Sequence, residues 1–419
     1  MQFLSFNFVL NFSALKIILF VFILILIIVY IYLRISYGFW FYQPVFHLYD
    51  FYSYLFPCGI VERDLPAYTK FTNLEDISMF TINNLISTKD YKWKQFVNFI
   101  GGHYHRNKEN VFLPRIENVN PYFTNHTHPS FITFYYEKVL LENVEKKSMI
   151  PSKKIISTMT SRPVQIIFNK TKNKEKIFAY YIDYLCVHKD YRKKGIAPEI
   201  IQTHYYLQRR NNMSIHANLF KREGDLTGIV PLCVYLSHVY PITDVIRIGF
   251  LNPEVHIVQC NKSNLHYLSE FMKENRNLFD ITICVEVPNL LDLINTNNYF
   301  IYFILQTDAD NIEKIKGCFV FKKTSVFISK NQELISCIAS IKDPLLKKEE
   351  YFEAFKIALG MIKLPFTHLM IENLSHNNFI VESMQRENYI CYMNSPMAYF
   401  FHNFVFNTIL ANKVIIVGT

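Results

Sequence analysis

Residues able to do chemistry are densest between Tyr180 and Ile201, YYIDYLCVHKDYRKKGIAPEII. β-forming apolar residues (Ile182, Tyr184, Leu185, Val187) lead into Arg192-Lys193-Lys194-Gly195-Ile196-Ala197, and Ile200, Ile201 and Tyr205 follow at helical spacing. The order is strand, basic turn, helix. Pro198 suits the first helical turn, where its missing N–H costs nothing. Gly195 lets the backbone come close to a ligand, and the free amides of a helix start beside three cations make a site for a pyrophosphate. The competing reading is a basic surface turn without a ligand.

Arg-x-x-Gly-x-Ala after a strand resembles the pattern of acyl-CoA-dependent acyltransferases of the GNAT type. The wider string is more specific. Tyr184-Leu185-Cys186-Val187-His188-Lys189, then Arg192, Lys194, Ala197-Pro198 and Ile201, resembles the N-myristoyltransferase (glycylpeptide N-tetradecanoyltransferase) signature F-L-C-V-H-K-x-x-R-x-K-x-x-A-P-x-x-I. Tyr37-Gly38-Phe39-Trp40-Phe41-Tyr42-Gln43-Pro44-Val45 is similar to that family's Y-K-F-W-D-T-Q-P-V segment. The tail Tyr399-Phe400-Phe401-His402-Asn403-Phe404 is similar to Y-Y-L-Y-N-W, and the length beyond it also fits.

The resemblance implies a fold class and a chemistry. The fold is α/β, two fused GNAT-like acyltransferase halves, here preceded by one N-terminal transmembrane helix. Acyl transfer to an amine needs anchored phosphates, donors for the thioester oxygen as it gains charge, and loss of the ammonium proton. On this comparison Gly38, Phe39, Trp40, Tyr184, Leu185, Cys186, Val187, Arg192, Lys193, Lys194, Gly195, Ile196 and Ala197 bind acyl-CoA. Tyr184 and Leu185 supply two backbone N–H groups as an oxyanion hole, freed by a break in the strand. The base is the terminal carboxylate of Thr419. Tyr104 and Phe112 line the acceptor groove, and Tyr235 fits the end of another peptide-site motif. The co-substrate is acyl-CoA, with myristoyl-CoA expected; no cofactor, metal or nucleic acid is implied.

Three departures concern the acceptor side. The family's acidic loop stands here as Arg106, Asn107, Lys108 and Glu109, a change that disfavours a basic peptide and favours an acidic or neutral one. A short Y-T-A-G turn is replaced by Phe220-Lys221-Arg222-Glu223-Gly224, and a G-x-G-D-G loop by Cys391-Tyr392-Met393-Asn394-Ser395. Two alternatives therefore stand beside an N-acyltransferase acting on an N-terminal glycine. One is a catalytically inactive, membrane-anchored interaction protein of the same fold. The other is a GNAT acetyltransferase for another amine.

These residues need elements to hold them. Ile17–Leu33 is an unbroken apolar run between Lys16 and Arg34, about 17 residues, the short end of a membrane-spanning helix. It lacks a small-x-small cleavage site and runs on into aromatics, which reads as an uncleaved anchor with Tyr37 to Tyr42 near the interface. The expected units are an anchor (1–36), an acyl-CoA-binding half (37–250) and an acceptor-binding half (251–419). A hairpin of Lys154–Phe168 and Ile177–Val187 is expected, with Asn118–Ser130 as loop and Ile229–Val234 as strand. A stripe of Phe352, Phe355, Ile357, Ala358 and Met361 marks an amphipathic helix over 349–362.

The net charge of +9 is scattered in pairs and suits an anionic ligand or membrane surface. The eight cysteines sit mostly in apolar runs without C-x-x-C spacing, as buried thiols of a reducing compartment do. His103/His105 and His126/His128 are read as loop histidines rather than metal ligands. Reduced thiols and acyl-CoA chemistry place residues 37–419 on the cytosolic side of a single-pass anchor, facing the lipid bilayer.

Overall fold

The computed structural model describes residues 12–104, 110–143, 148–170, 175–224, 228–246, 251–307, 313–328, 332–363 and 366–418. The apolar run forms helix α1 (Phe12–Tyr37), with Lys16 and Arg34 as its only charged residues. It is long and apolar enough to cross a membrane, and none of its apolar stretch is buried by the rest of the protein. Its last residue docks on the body: the Tyr37 ring lies so close over Gly228 that no side chain would fit there. A 3-10 turn, Gly38–Tyr42, follows at once and opens with Gly38 at φ +50°. Gln43 then buries its side chain, donating to Gln202 Oε1 at 2.9 Å and facing His402 Nε2 at 3.2 Å. The Gln-Pro-Val segment thus ties the end of α1 to two distant parts of the chain.

Beyond helices α2 (Phe51–Leu55) and α3 (Tyr91–His103), alternating and continuous apolar runs build one large mixed sheet. Its first part is an antiparallel meander, β1 (Phe131–Asn143), β2 (Ser148–Phe168) and β3 (Lys176–Val187), which contains the expected hairpin. Helix α4 (Ile196–Asn211) then crosses to β4 (Ala217–Glu223), which lies parallel to β3. Strand β5 (Cys233–Pro241) follows, then β6 (Val255–Gln259) and β7 (Ile281–Cys284). A second antiparallel meander is formed by β8 (Tyr299–Thr307), β9 (Glu313–Phe327) and β10 (Glu333–Lys342). Helix α5 (Lys348–Gly360) crosses to β11 (Phe366–Glu372), parallel to β10. Meander, crossover helix, parallel strand therefore occurs on both sides of residue 250.

The two parts are not closed units set side by side. Strand β12 (Met393–His402) lies between β4 and β5, and β11 pairs with β5. Strand β7 pairs with the end of β2, and the last strand, β13 (Val414–Val417), lies parallel to β7. The main path runs β13-β7-β2-β3-β4-β12-β5-β11-β10-β9-β8-β6 among the described residues. Side chains from both parts share one core, which joins Phe134, Ile166 and Leu219 to Ile283, Ile301, Ile415 and Ile416.

Several local expectations change. Asn118–Ser130 is not all loop: a short helix (Ile116–Val119) and a 3-10 turn (Asn120–Tyr122) bury Val119 and Tyr122. The strand expected at 229–234 starts later, at Cys233, because Ile229 makes only an isolated bridge to His47. Helix α5 buries Phe352, Phe355 and Ala358 as expected, but Met361 lies past its end and is exposed. His105, Arg106 to Glu109, and Thr419 lie outside the described residues.

Candidate functional site

The β2–β3 ladder slips in the middle of the signature. Thr158 faces Cys186 and Thr160 faces Asp183, so neither Tyr184 nor Leu185 is paired across the ladder. Tyr184 sits at φ 48°, a conformation that bulky side chains rarely adopt. The hydroxyls of β2 take up the carbonyls near the slip. Ser157 Oγ donates to Cys186 O at 2.9 Å, Thr158 Oγ1 to Tyr184 O at 3.4 Å, and Thr160 Oγ1 to Asp183 O at 3.0 Å. The Tyr184 N–H donates to the Asp183 carboxylate at 2.8 Å. One of the two amides expected to face a thioester oxygen is therefore held by an acid.

The basic turn is built for its backbone. His188 accepts the Asp190 N–H and caps a 3-10 turn, Lys189–Tyr191. Lys193 (φ 63°) and Gly195 (φ 81°) then bring the chain into α4. A Cβ at Gly195 would meet nothing within 4 Å, so the demand for glycine there is conformational, not steric. Arg192 is committed to carbonyls: Nη2 donates to His103 O at 2.7 Å and Nε to Val187 O at 3.3 Å. Lys193, Lys194 and Gly195 are exposed beside the start of α4. Burial, ahead of the nearby Lys154, pushes the His188 imidazole below its ordinary pKa. His188 supports the turn and does not line the cavity described next.

A cavity of about 970 Å³ runs across the slip in β3. One wall carries Phe39, Trp40, Leu185, Ala197, Ile201, Tyr205 and Phe220. Trp40 stacks on Phe220 with centroids 5.9 Å apart. Two histidines on this side stay neutral, since burial pushes His204 and His402 down to about 3. The other wall carries Tyr104, Asn110, Phe112, Lys221, Lys322, Glu372, Tyr392 and Ser395. Of the expected site residues, Phe39, Trp40, Tyr104, Phe112, Tyr184, Leu185 and Ala197 line this space, whereas Gly38, Val187 and Arg192 to Ile196 do not. Tyr235 stands behind it, its hydroxyl donating to Glu372 Oε2 at 2.6 Å. Cys186 is buried, and that burial pushes its thiol up to about 12.

The second wall carries a charged cluster that the sequence did not announce, with the buried Arg162 behind the cavity lining. Lys221 Nζ contacts both Glu372 oxygens at 2.9 Å. Arg162 is fully buried, its guanidinium 4.7 Å from the Tyr122 ring centre and 5.1 Å from that of Tyr181. The Asp183 carboxylate lies 3.9 Å from it. Lys322 lies 5.2 Å from the Tyr122 ring centre, and burial lowers its ammonium to about 8. The one signal available beforehand was Asp183, an acid inside an otherwise apolar strand.

Lys322 gives a pH prediction. Its folded pKa of about 8 lies below the ordinary 10.5, so folding opposes its charge. The full stability is present above pH 10.5 and is lost as pH falls through 8. Lys322→Met should therefore be more stable than the parent at pH 7 by about 2 kcal/mol, after discounting for cavity solvent. The gap should close between pH 8 and 10.5. Urea unfolding at the two extremes measures it, and a pH-independent gap would refute the cause.

Residues 70–233 match the family model "Myristoyl-CoA:protein N-myristoyltransferase, N-terminal domain". A Saccharomyces cerevisiae N-myristoyltransferase structure with bound myristoyl-CoA superposes with TM-score 0.65 at 13% identity, covering 90% of this chain and 94% of that one. A second structure of the yeast enzyme with myristoyl-CoA gives TM-score 0.65 at 14% identity, covering 90% and 89%. No curated protein matches the sequence. Residues 70–233 are thus similar to the N-myristoyltransferase N-terminal domain, and the chain shares the fold of the yeast N-myristoyltransferase structures.

Proposed function

We propose that this protein is a membrane-anchored, acyl-CoA-dependent N-acyltransferase that moves a long-chain acyl group, myristoyl by preference, to the N-terminal glycine amine of an acceptor protein. The observation that carries the reading is one cavity joining the Trp40–Leu185–Ala197 wall to the Tyr104–Phe112–Glu372 wall across the slipped strand. The exposed turn at Lys193–Gly195 and the start of α4 would hold the CoA phosphates. The acyl chain would lie against the aromatic wall. Residues 37–250 would supply most of the acyl-CoA contacts, and residues 251–419 would add Lys322, Glu372 and Tyr392 to the acceptor wall.

In the transfer the amine nitrogen bonds to the thioester carbon, and the carbon–sulfur bond breaks. The ammonium gives one proton to a base, and a second passes to the leaving sulfur, which ends as the thiol of CoA. Amide N–H groups at Tyr184 and Leu185 would steady the oxygen between those events. The base proposed is the carboxylate of Thr419. Orientation toward the cytosol is supported by eight free cysteines. Asn125 and Asn169 lie in glycosylation sequons, and modification of either would report the opposite orientation; Asn125 is exposed in the folded chain.

The test is transfer of labelled myristoyl from myristoyl-CoA to N-terminal-glycine peptides by the full chain in detergent, acidic and neutral peptides first. Extending the chain beyond Thr419 should leave acyl-CoA binding intact and lower transfer at least about a hundredfold, the lower end of what a general base contributes. Equal rates would exclude Thr419. A second reading, an anchored acyl-CoA-binding protein without turnover, is favoured by the Asp183 carboxylate held on the Tyr184 amide.

A further inference from the structure

The chain leaving α1 does not move away from it. Phe41 packs its ring against Tyr30 at 5.5 Å, and Tyr49 packs against Tyr37 at 5.4 Å and Phe41 at 6.3 Å. Tyr30 lies two turns before the end of α1, about 10 Å along its axis. The Phe41 ring therefore reaches back to Tyr30, Gln43, Val45 and Phe46 are buried in the body, and Tyr49 returns to the level of Tyr37, the last residue of α1.

Helix α2 follows directly. Asp50 caps it by accepting the Ser53 N–H at 3.2 Å, Ser53 is buried, and Tyr54 packs on the buried Phe46 at 4.7 Å. That attachment turns the remaining large side chains outward: Phe51 is 78% exposed, Tyr52 70%, Leu55 76% and Phe56 60%. Four adjacent large apolar groups are thus turned outward just after the Tyr49 ring that packs on the end of a helix of membrane-spanning character.

We propose that Phe51, Tyr52, Leu55 and Phe56 form a second membrane contact, a foot lying in the headgroup–acyl boundary of the leaflet from which α1 emerges. The occupant is lipid, because the ring contact of Tyr49 with Tyr37 places the start of α2 beside the end of α1, where a spanning helix leaves the bilayer. The foot rests on the anchor reading above and adds to it. It fixes the height of the body over the bilayer, since Phe39 and Trp40, which line the cavity, stand between α1 and α2.

The test uses the full chain in vesicles of phosphatidylcholine and phosphatidylserine, with Cys58, the exposed cysteine, replaced by Ser. A nitroxide is placed at Leu55→Cys and, as a control, at Leu345→Cys, where the parent residue is also exposed. The foot predicts oxygen collisions several-fold more frequent than those of a water-soluble nickel complex at position 55, and the reverse at position 345. Nickel access at 55 equal to that at 345 would put the segment in water. Low access to both reagents at 55 would mean that protein, not lipid, covers it. Either result overturns the foot while flotation of the chain with the vesicles still supports the anchor; failure to float overturns both.

Discussion

Myristoyl-CoA is expected to bind the full-length protein at least about a hundredfold more tightly than acetyl-CoA. The two ligands share the nucleotide and pantetheine and differ by about twelve methylenes, each worth about 0.8 kcal/mol when buried. Full burial would give about 10 kcal/mol, and even a third of that is about 3 kcal/mol, more than a hundredfold. The wall of Trp40, Phe220, Leu185 and Ile201 offers apolar contact, and the neutral His204 and His402 add no charge to it. Calorimetry with both ligands measures the ratio. Ala197→Phe, which adds a ring at the cavity wall, should collapse it. Lys193→Gln with Lys194→Gln should weaken both ligands together in a salt-sensitive way, because the phosphates are common to them. Equal affinity of the parent for the two ligands would refute the long-chain reading.

The Asp183→Asn variant is expected to transfer acyl groups about tenfold faster than the parent. An amide oxygen can still accept the Tyr184 N–H as Asp183 does at 2.8 Å, so the slip in β3 and the positive φ of Tyr184 should persist. What changes is charge. A carboxylate about 4 Å from a developing oxyanion costs up to about 4 kcal/mol in a partly shielded site. Arg162, 3.9 Å from Asp183, offsets part of this, which leaves about 1 to 2 kcal/mol. The readout is kcat with saturating acyl-CoA, alongside acyl-CoA affinity, which should not move. A fall in kcat/KM for the peptide would instead assign Asp183 to the acceptor ammonium. No gain from an inactive parent would strengthen the reading without turnover.

The local parts of the site were legible because they rest on neighbours in sequence. The strand, turn and helix at Tyr180–Asn211 follow from apolar periodicity, from Gly195 at a positive φ, and from Pro198 in the first helical turn. Trp40 and Gln43 carried their places in a short segment, and both are found where α1 meets the body. The length and composition of α1 were equally plain.

The charged cluster was not legible. Arg162, Asp183, Lys221, Lys322 and Glu372 come from five different strands, β2, β3, β4, β9 and β11. Which face each residue takes depends on strand register, and a slip of one residue turns every side chain over. The same holds for β12, set between β4 and β5, for β7, set against β2, and for β13, set against β7. Sequence determined the elements and the turn, since hydrophobic period and backbone preference are local. Only the tertiary structure decided that Arg192 is spent on carbonyls, because His103 comes from a distant helix, and that Asp183 holds the neighbouring Tyr184 amide, because the slip of β3 against β2 leaves that amide unpaired.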